Sequence, residues 1–261
     1  MLKQHEDFIQ KVKKQIQEDE RFIGILAGGS IITNTMDQFS NIDLILVYDS
    51  TFQDAIMKNR LQIASGFGHL LSGFTGEHVG EPRLLICLYN APILHVDLKF
   101  VTIDEVSNGV EKPIVVWQRG STVSQILNKT NYSFPYPDMQ WIEDRFWVWI
   151  HYAATKLGRG ELFEVIDFLS FLRENAIGPL VLIKNNSLPR GVRRIEEDAP
   201  DFIEKLEKTV AIHEKESCYN AIKSTISLYL HLRKDYEIDI QVKSDAQQES
   251  IKYLEEVYEV I

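Results

Sequence analysis

The chain has 261 residues, 38 Asp and Glu against 28 Lys and Arg, a formal net charge of -10, a pI near 5.2 and 44% hydrophobic residues. That apolar content suffices for one large core or two modest ones and excludes a disordered chain. The acidic balance argues against a nucleic-acid partner, whose phosphates it would repel, and suits a cationic or neutral acceptor.

The first sixteen residues are charged throughout and place Phe8, Val12 and Ile16 at helical intervals, unlike the apolar run of a signal peptide. Strand-like runs follow at Phe22 to Ala27, Ile42 to Tyr48, Leu84 to Tyr89, Ile93 to Val101 and Ile114 to Trp117, with a helix expected from Thr51 to about Ser65. This half reads as α/β. The stretch Gly73 to Glu81, with three glycines and three ionisable groups, reads as a connection, a mobile lid or a ligand contact. Phe134-Pro135-Tyr136-Pro137 can continue neither a helix nor a central strand, and beyond it the apolar period is helical. A domain boundary is therefore expected there, giving domains 1–135 and 136–261.

In the second half Ile142, Phe146, Trp149, Ile150, Ala153 and Leu157 mark one helix face, which stops at Gly158 and Gly160. Leu162, Val165, Ile166, Leu169 and Leu172 mark the next helix, and more are expected over Pro200 to His213, Ser217 to Lys234 and Ala246 to Val260. The expected architecture is an α/β domain, then an all-α helical bundle. The charged run from Arg190 to Asp198 reads as a solvated loop. Cys87 and Cys218 have no metal-ligand spacing and read as reduced packing residues. No segment approaches the roughly 18 apolar residues of a membrane span, so no membrane partner is expected and the expected location is cytoplasmic.

Three segments carry chemistry. The apolar run Ile25-Leu26-Ala27 leads into Gly28-Gly29-Ser30, where a glycine turn exposes backbone N–H groups and a hydroxyl suited to phosphate oxygens. In Asn41-Ile42-Asp43 the alternation of a strand projects Asn41 and Asp43 together, a pair of hard oxygen ligands of the kind magnesium uses with substrate phosphates. In His95-Val96-Asp97-Leu98-Lys99 the polar side chains share one face, and Asp97 needs a partner, with His95 and Lys99 the local candidates.

In order and spacing these elements resemble the DNA polymerase β superfamily of nucleotidyltransferases. The likeness is greatest to the small lincosamide and aminoglycoside nucleotidyltransferases, with Asp37-Gln38-Phe39-Ser40 resembling the lincosamide group. It covers about residues 22–101 and implies an α/β (α+β) nucleotidyltransferase domain with a mixed sheet, followed by the all-α helical-bundle domain. The resemblance implies nucleotide binding at Gly28, Gly29 and Ser30, catalytic roles for Asp43 and Asp97, and magnesium held by Asn41, Asp43 and Asp97. It further implies transfer of a nucleoside monophosphate, AMP from ATP, to a hydroxyl of a small molecule such as an antibiotic, and self-association as a homodimer. One departure stands out: Asn41 occupies the family's first metal carboxylate, so the site brings two negative charges rather than three, and a binding protein without catalysis is the alternative reading.

On the helix ending near Leu157, Arg145, Tyr152, Lys156 and Arg159 form a basic polar face. Lys156 and Arg159 are the expected phosphate contacts, and Glu161 is expected at the next helix's N-terminus. A protein-modifying transferase is the third reading, disfavoured by the added helical half.

Overall fold

The computed structural model describes residues 2–261. It divides into two compact units, the described residues up to 133 and residues 134–261.

The first unit is built on a six-stranded mixed sheet. Its strands are β1 (Phe22–Ala27), β2 (Ile42–Tyr48), β3 (His69–Gly76), β4 (Glu81–Asn90), β5 (Leu94–Thr102) and β6 (Ile114–Gln118), in the order β3-β4-β5-β2-β1-β6. The pairing of β2 with β5 is parallel and the other four are antiparallel. Alternation sorts the side chains: Ile42, Leu44, Leu46, Val96, Leu98 and Phe100 face a core closed by α1 (Lys3–Glu18) and α3 (Gln53–Gly66), where Phe8, Val12, Ile16 and Ile56 are buried. On the other face α4 (Thr122–Lys129) inserts Val123 and Leu127 against Leu26, Val47 and Val101.

The second unit is helical: α5 (Met139–Gly158), α6 (Leu162–Leu172), α7 (Gly178–Lys184), α8 (Ile195–Asp198), α9 (Ile203–Glu207), α10 (Lys215–Arg233) and α11 (Ser244–Glu259), around one core. Asp138 starts α5, its carboxylate accepting from the backbone N–H groups of Gln140 and Trp141. A π-turn over Arg173–Ile177 joins α6 to α7 without a loop. The run 190–198, expected as a solvated loop, is one only up to Arg194, since 195–198 form α8; its charged side chains are exposed or partly so, while Gly191 and Ile195 are buried among them.

Two expectations are corrected. Residues 73–81 are not a free connection: residues 69–76 form an edge strand paired with β4 and only 77–79 make a turn. Glycines and alternate exposure dilute its pattern, and Gly73 is in place because a Cβ there would come within 2.9 Å of Leu61. The helix expected from Pro200 to His213 ends at Glu207. The helices α4 and α7 carry too few periodic positions to be read from sequence.

Candidate active site

At the end of β1 the chain turns through Gly28 and Gly29, then makes a single helical turn, α2 (Ser30–Thr33). Gly29 has φ +57°, in the left-handed region, and a Cβ there would stand 2.1 Å from Asp43 Oδ2. Only glycine lets the backbone lie this close to the carboxylate. The Gly28 N–H donates to the Asp43 backbone carbonyl at 3.0 Å, tying the turn to the start of β2. The Ser30 hydroxyl oxygen is buried and has no hydrogen-bond partner. An unmatched buried donor is costly, and at a glycine turn it suits a phosphate oxygen.

The parallel register sets Asp43 beside Asp97. Asn41 bridges them: its Nδ2 donates to Asp43 Oδ1 at 3.1 Å and to Asp97 Oδ2 at 2.9 Å. His95 Nε2 lies 3.1 Å from Asp97 Oδ1, so the partner required by Asp97 is the histidine together with Asn41. Lys99 instead pairs with Glu81 at 2.7 Å. Behind the strand pair, burial pushes the Cys87 thiol up to about 12, which removes it as a nucleophile.

Among the described residues no group of three or more His, Cys, Asp or Glu side chains is placed to hold a metal ion. The donor set nevertheless suits one divalent cation: two carboxylates in register, and an amide whose half-turn would exchange Nδ2 for Oδ1.

The structure thus brings Asn41, Asp43 and Asp97 together and lays Gly28 and Gly29 against Asp43, with Ser30 next in the turn. Lys156 and Arg159 belong to the helical unit and have carboxylate neighbours there. Lys156 Nζ is 2.6 Å from Glu161 and 3.6 Å from Glu164, and Arg159 is 3.9 Å from Glu161. Glu161 precedes α6 as expected, but its carboxylate is spent on Lys156 and caps no backbone N–H. The sequence reading missed Ile86 and Leu88, which share the sheet face of Asp97 and which alternation along β4 could have found; Phe74, on the same face, lies in the stretch read as a lid or ligand contact, but its place beside Ile86 required recognition of β3.

No family model matches the chain, and no curated protein matches it in sequence. Its structural neighbours are nucleotidyltransferases and similar proteins. The chain is similar to an aminoglycoside 6-adenyltransferase from Bacillus subtilis, at 17% identity over 98% of this chain and 99% of that one, with a TM-score of 0.43. It is similar to a nucleotidyltransferase-like protein from Exiguobacterium sibiricum, at 11% identity over 95% of this chain and 78% of that one, TM-score 0.40. A third is the spectinomycin adenyltransferase from Enterococcus faecialis, at 12% identity over 97% and 98%, TM-score 0.31. At such values the functional argument has to come from the site itself.

Proposed function

We propose that this protein transfers a nucleoside monophosphate, AMP from ATP, to a hydroxyl of a small molecule. The observation that carries the reading is the carboxylate pair Asp43 and Asp97, in register on adjacent parallel strands and packed against the Gly28-Gly29-Ser30 turn. Magnesium, when bound, would neutralise the triphosphate and polarise its α-phosphate. The chain's own residues do the rest. Gly29 leaves room for a phosphate beside the backbone, Ser30 offers its hydroxyl to a phosphate oxygen, and Asn41, Asp43 and Asp97 would hold the metal.

In the transfer the acceptor oxygen bonds to the α-phosphorus, the bond to the bridging oxygen breaks, and pyrophosphate leaves with the electron pair. The acceptor's proton passes to Asp97, whose contact with His95 Nε2 orients the carboxylate. Catalysis in such a site is positioning and electrostatics.

Calorimetry with a non-hydrolysable ATP analogue tests the nucleotide site. Binding should require magnesium, vanish in Asp43→Ala and Asp97→Ala, and weaken about tenfold in Ser30→Ala, the worth of one hydrogen bond to a charged group. Wild-type chain that binds no nucleotide with magnesium would sink the proposal. A second reading, nucleotide binding without turnover, is favoured by Asn41 alone, and a measurable rate with any acceptor excludes it.

A further inference from the structure

The carboxylate pair is one end of a line of side chains. Asp43 is the register partner of Asp97, Asp97 of Ile86, and Ile86 of Phe74, so β2, β5, β4 and β3 each place one residue in a row on the same face. With strands about 4.8 Å apart, the row extends about 14 Å sideways from Asp43. In the next row His95, Leu88 and Ser72 are partners. Within this unit α4 covers the face at β1 and β2, against Leu26 and Val47. At β4 and β3 the apolar side chains are open: Leu88 is 38% and Phe74 52% exposed, and Ile86 is half-buried. Large apolar side chains held open and contiguous with reactive carboxylates mark a binding surface more often than a chance exposure.

Charge along the row decides what it can bind. Lys99 is answered by Glu81, and Arg83 by Glu81 at 2.7 Å and Glu105 at 2.9 Å. Glu77, just beyond β3, accepts from the Thr75 hydroxyl. Of the carboxylates bordering the row, Glu81 and Glu105 are thus paired with cations within the unit, while Glu77 has a neutral hydroxyl partner and the field of Arg60. An acceptor carrying several positive charges would find only the pair itself and Glu77 at the far end to pair with, and would have to lay its remaining cations on Ile86, Leu88 and Phe74. That local balance outweighs the net charge of -10, which is spread over the whole chain.

We infer that the row Ile86–Phe74, flanked by Leu88, is the acceptor platform, and that the acceptor is a small hydroxylated compound with an apolar face and at most one positive charge. Its hydroxyl lies at Asp97 and its apolar body covers Phe74. The inference rests on the proposed nucleotidyl transfer, since it takes Asp97 as the reacting end.

The test is methyl NMR on the full chain, labelled at Ile and Leu, with two probes: phenyl β-D-glucopyranoside, which is neutral with an aromatic face, and spermine, a polycation. Magnesium-dependent binding of the ATP analogue is measured on the same samples. The glucoside should shift the Ile86 and Leu88 methyls, and Phe74→Ser should weaken that binding about tenfold, as expected for an aromatic ring that loses its cover. Val110→Ser, an exposed apolar residue off the row, should leave it unchanged. Spermine shifting those methyls while the glucoside does not overturns the inference, as do glucoside shifts that survive Phe74→Ser. Shifts that depend on protein concentration without a probe assign the row to a second copy of the chain and also overturn it. If nucleotide binding persists through any of these failures, the transferase reading stands and the acceptor assignment alone falls; loss of nucleotide binding in the wild type removes the reading beneath it.

Discussion

At the scale of single residues, Asn41 decides how the site behaves without its cation. Its amide donates to both Asp43 and Asp97, so two carboxylates that would repel one another are held by a neutral donor. Asn41→Asp removes that donor and adds a third negative charge in the same place. Without divalent ions the variant should be less stable than the wild type by about 1–2 kcal/mol, because two acceptors lose their partner and like charges crowd. Magnesium should reverse the order: the variant binds it more tightly, and its melting temperature rises further on titration than that of the wild type. Melting curves with EDTA and with magnesium check both signs, and a variant as stable as wild type in EDTA would remove Asn41 from this role. Gly29 shows how much of the site was legible in sequence. The Gly-Gly-Ser turn and the acidic strands could be read because glycine and alternation leave a local trace. That Asn41 would act as a donor toward both carboxylates could not, since it depends on β2 and β5 being parallel and in register.

At the scale of elements, β4 and β5 are clamped by charge. Arg83, between Glu81 and Glu105, is held above its ordinary value, chiefly by the hydrogen bond to Glu81. Glu81 is held down to about 2 from an ordinary 4.5, first by its hydrogen bond from Arg83 and then, against the opposing effect of burial, by Lys99. A carboxylate that binds its proton less readily in the folded chain stabilises the fold fully above pH 4.5, and the contribution is lost as pH falls toward 2. Discounted for a site partly open to water, the contribution is about 1–2 kcal/mol. Urea denaturation at a series of pH values should therefore show the wild type losing more stability between pH 4.5 and 3 than Glu81→Gln does, with equal slopes in the two proteins leaving the clamp without weight. The strands with apolar alternation, β1, β2, β4 and β5, were legible from sequence to within a few residues. β3 was not, because an edge strand with one neighbour needs no continuous apolar face, and its glycines read as turns.

At the scale of the molecule, the two units draw on cores that share no residue: one cluster runs from Met139 to Leu254, and the other two lie between Phe8 and Leu127. The helical core is centred on a buried charge. Glu143 is fully buried and accepts from Trp147 Nε1 at 3.1 Å, the Tyr229 hydroxyl at 2.5 Å, Arg233 Nη1 at 3.2 Å and the Lys243 backbone N–H at 2.9 Å. Burial, followed by this contact with Glu143, pushes the Tyr229 hydroxyl well above its ordinary value. Glu143→Ala would remove the buried counter-charge of Arg233, leaving it only the more exposed Glu237 at 3.5 Å, and would strand the buried donors of Trp147 and Tyr229, at a cost of about 3 kcal/mol. Scanning calorimetry should therefore resolve a component that moves to lower temperature in Glu143→Ala and one that does not. The magnesium ATP analogue, at a hundred times its dissociation constant, should stabilise whatever binds it by about 2.7 kcal/mol. A site made by Gly28, Gly29, Ser30, Asn41, Asp43 and Asp97 alone raises only the component insensitive to Glu143. If Lys156 and Arg159 leave Glu161 for the nucleotide's phosphates, the analogue raises the helical component too, and Lys156→Ala cancels that second rise while sparing the first. A rise confined to the first component leaves Lys156 and Arg159 as partners of Glu161 and Glu164 and nothing more.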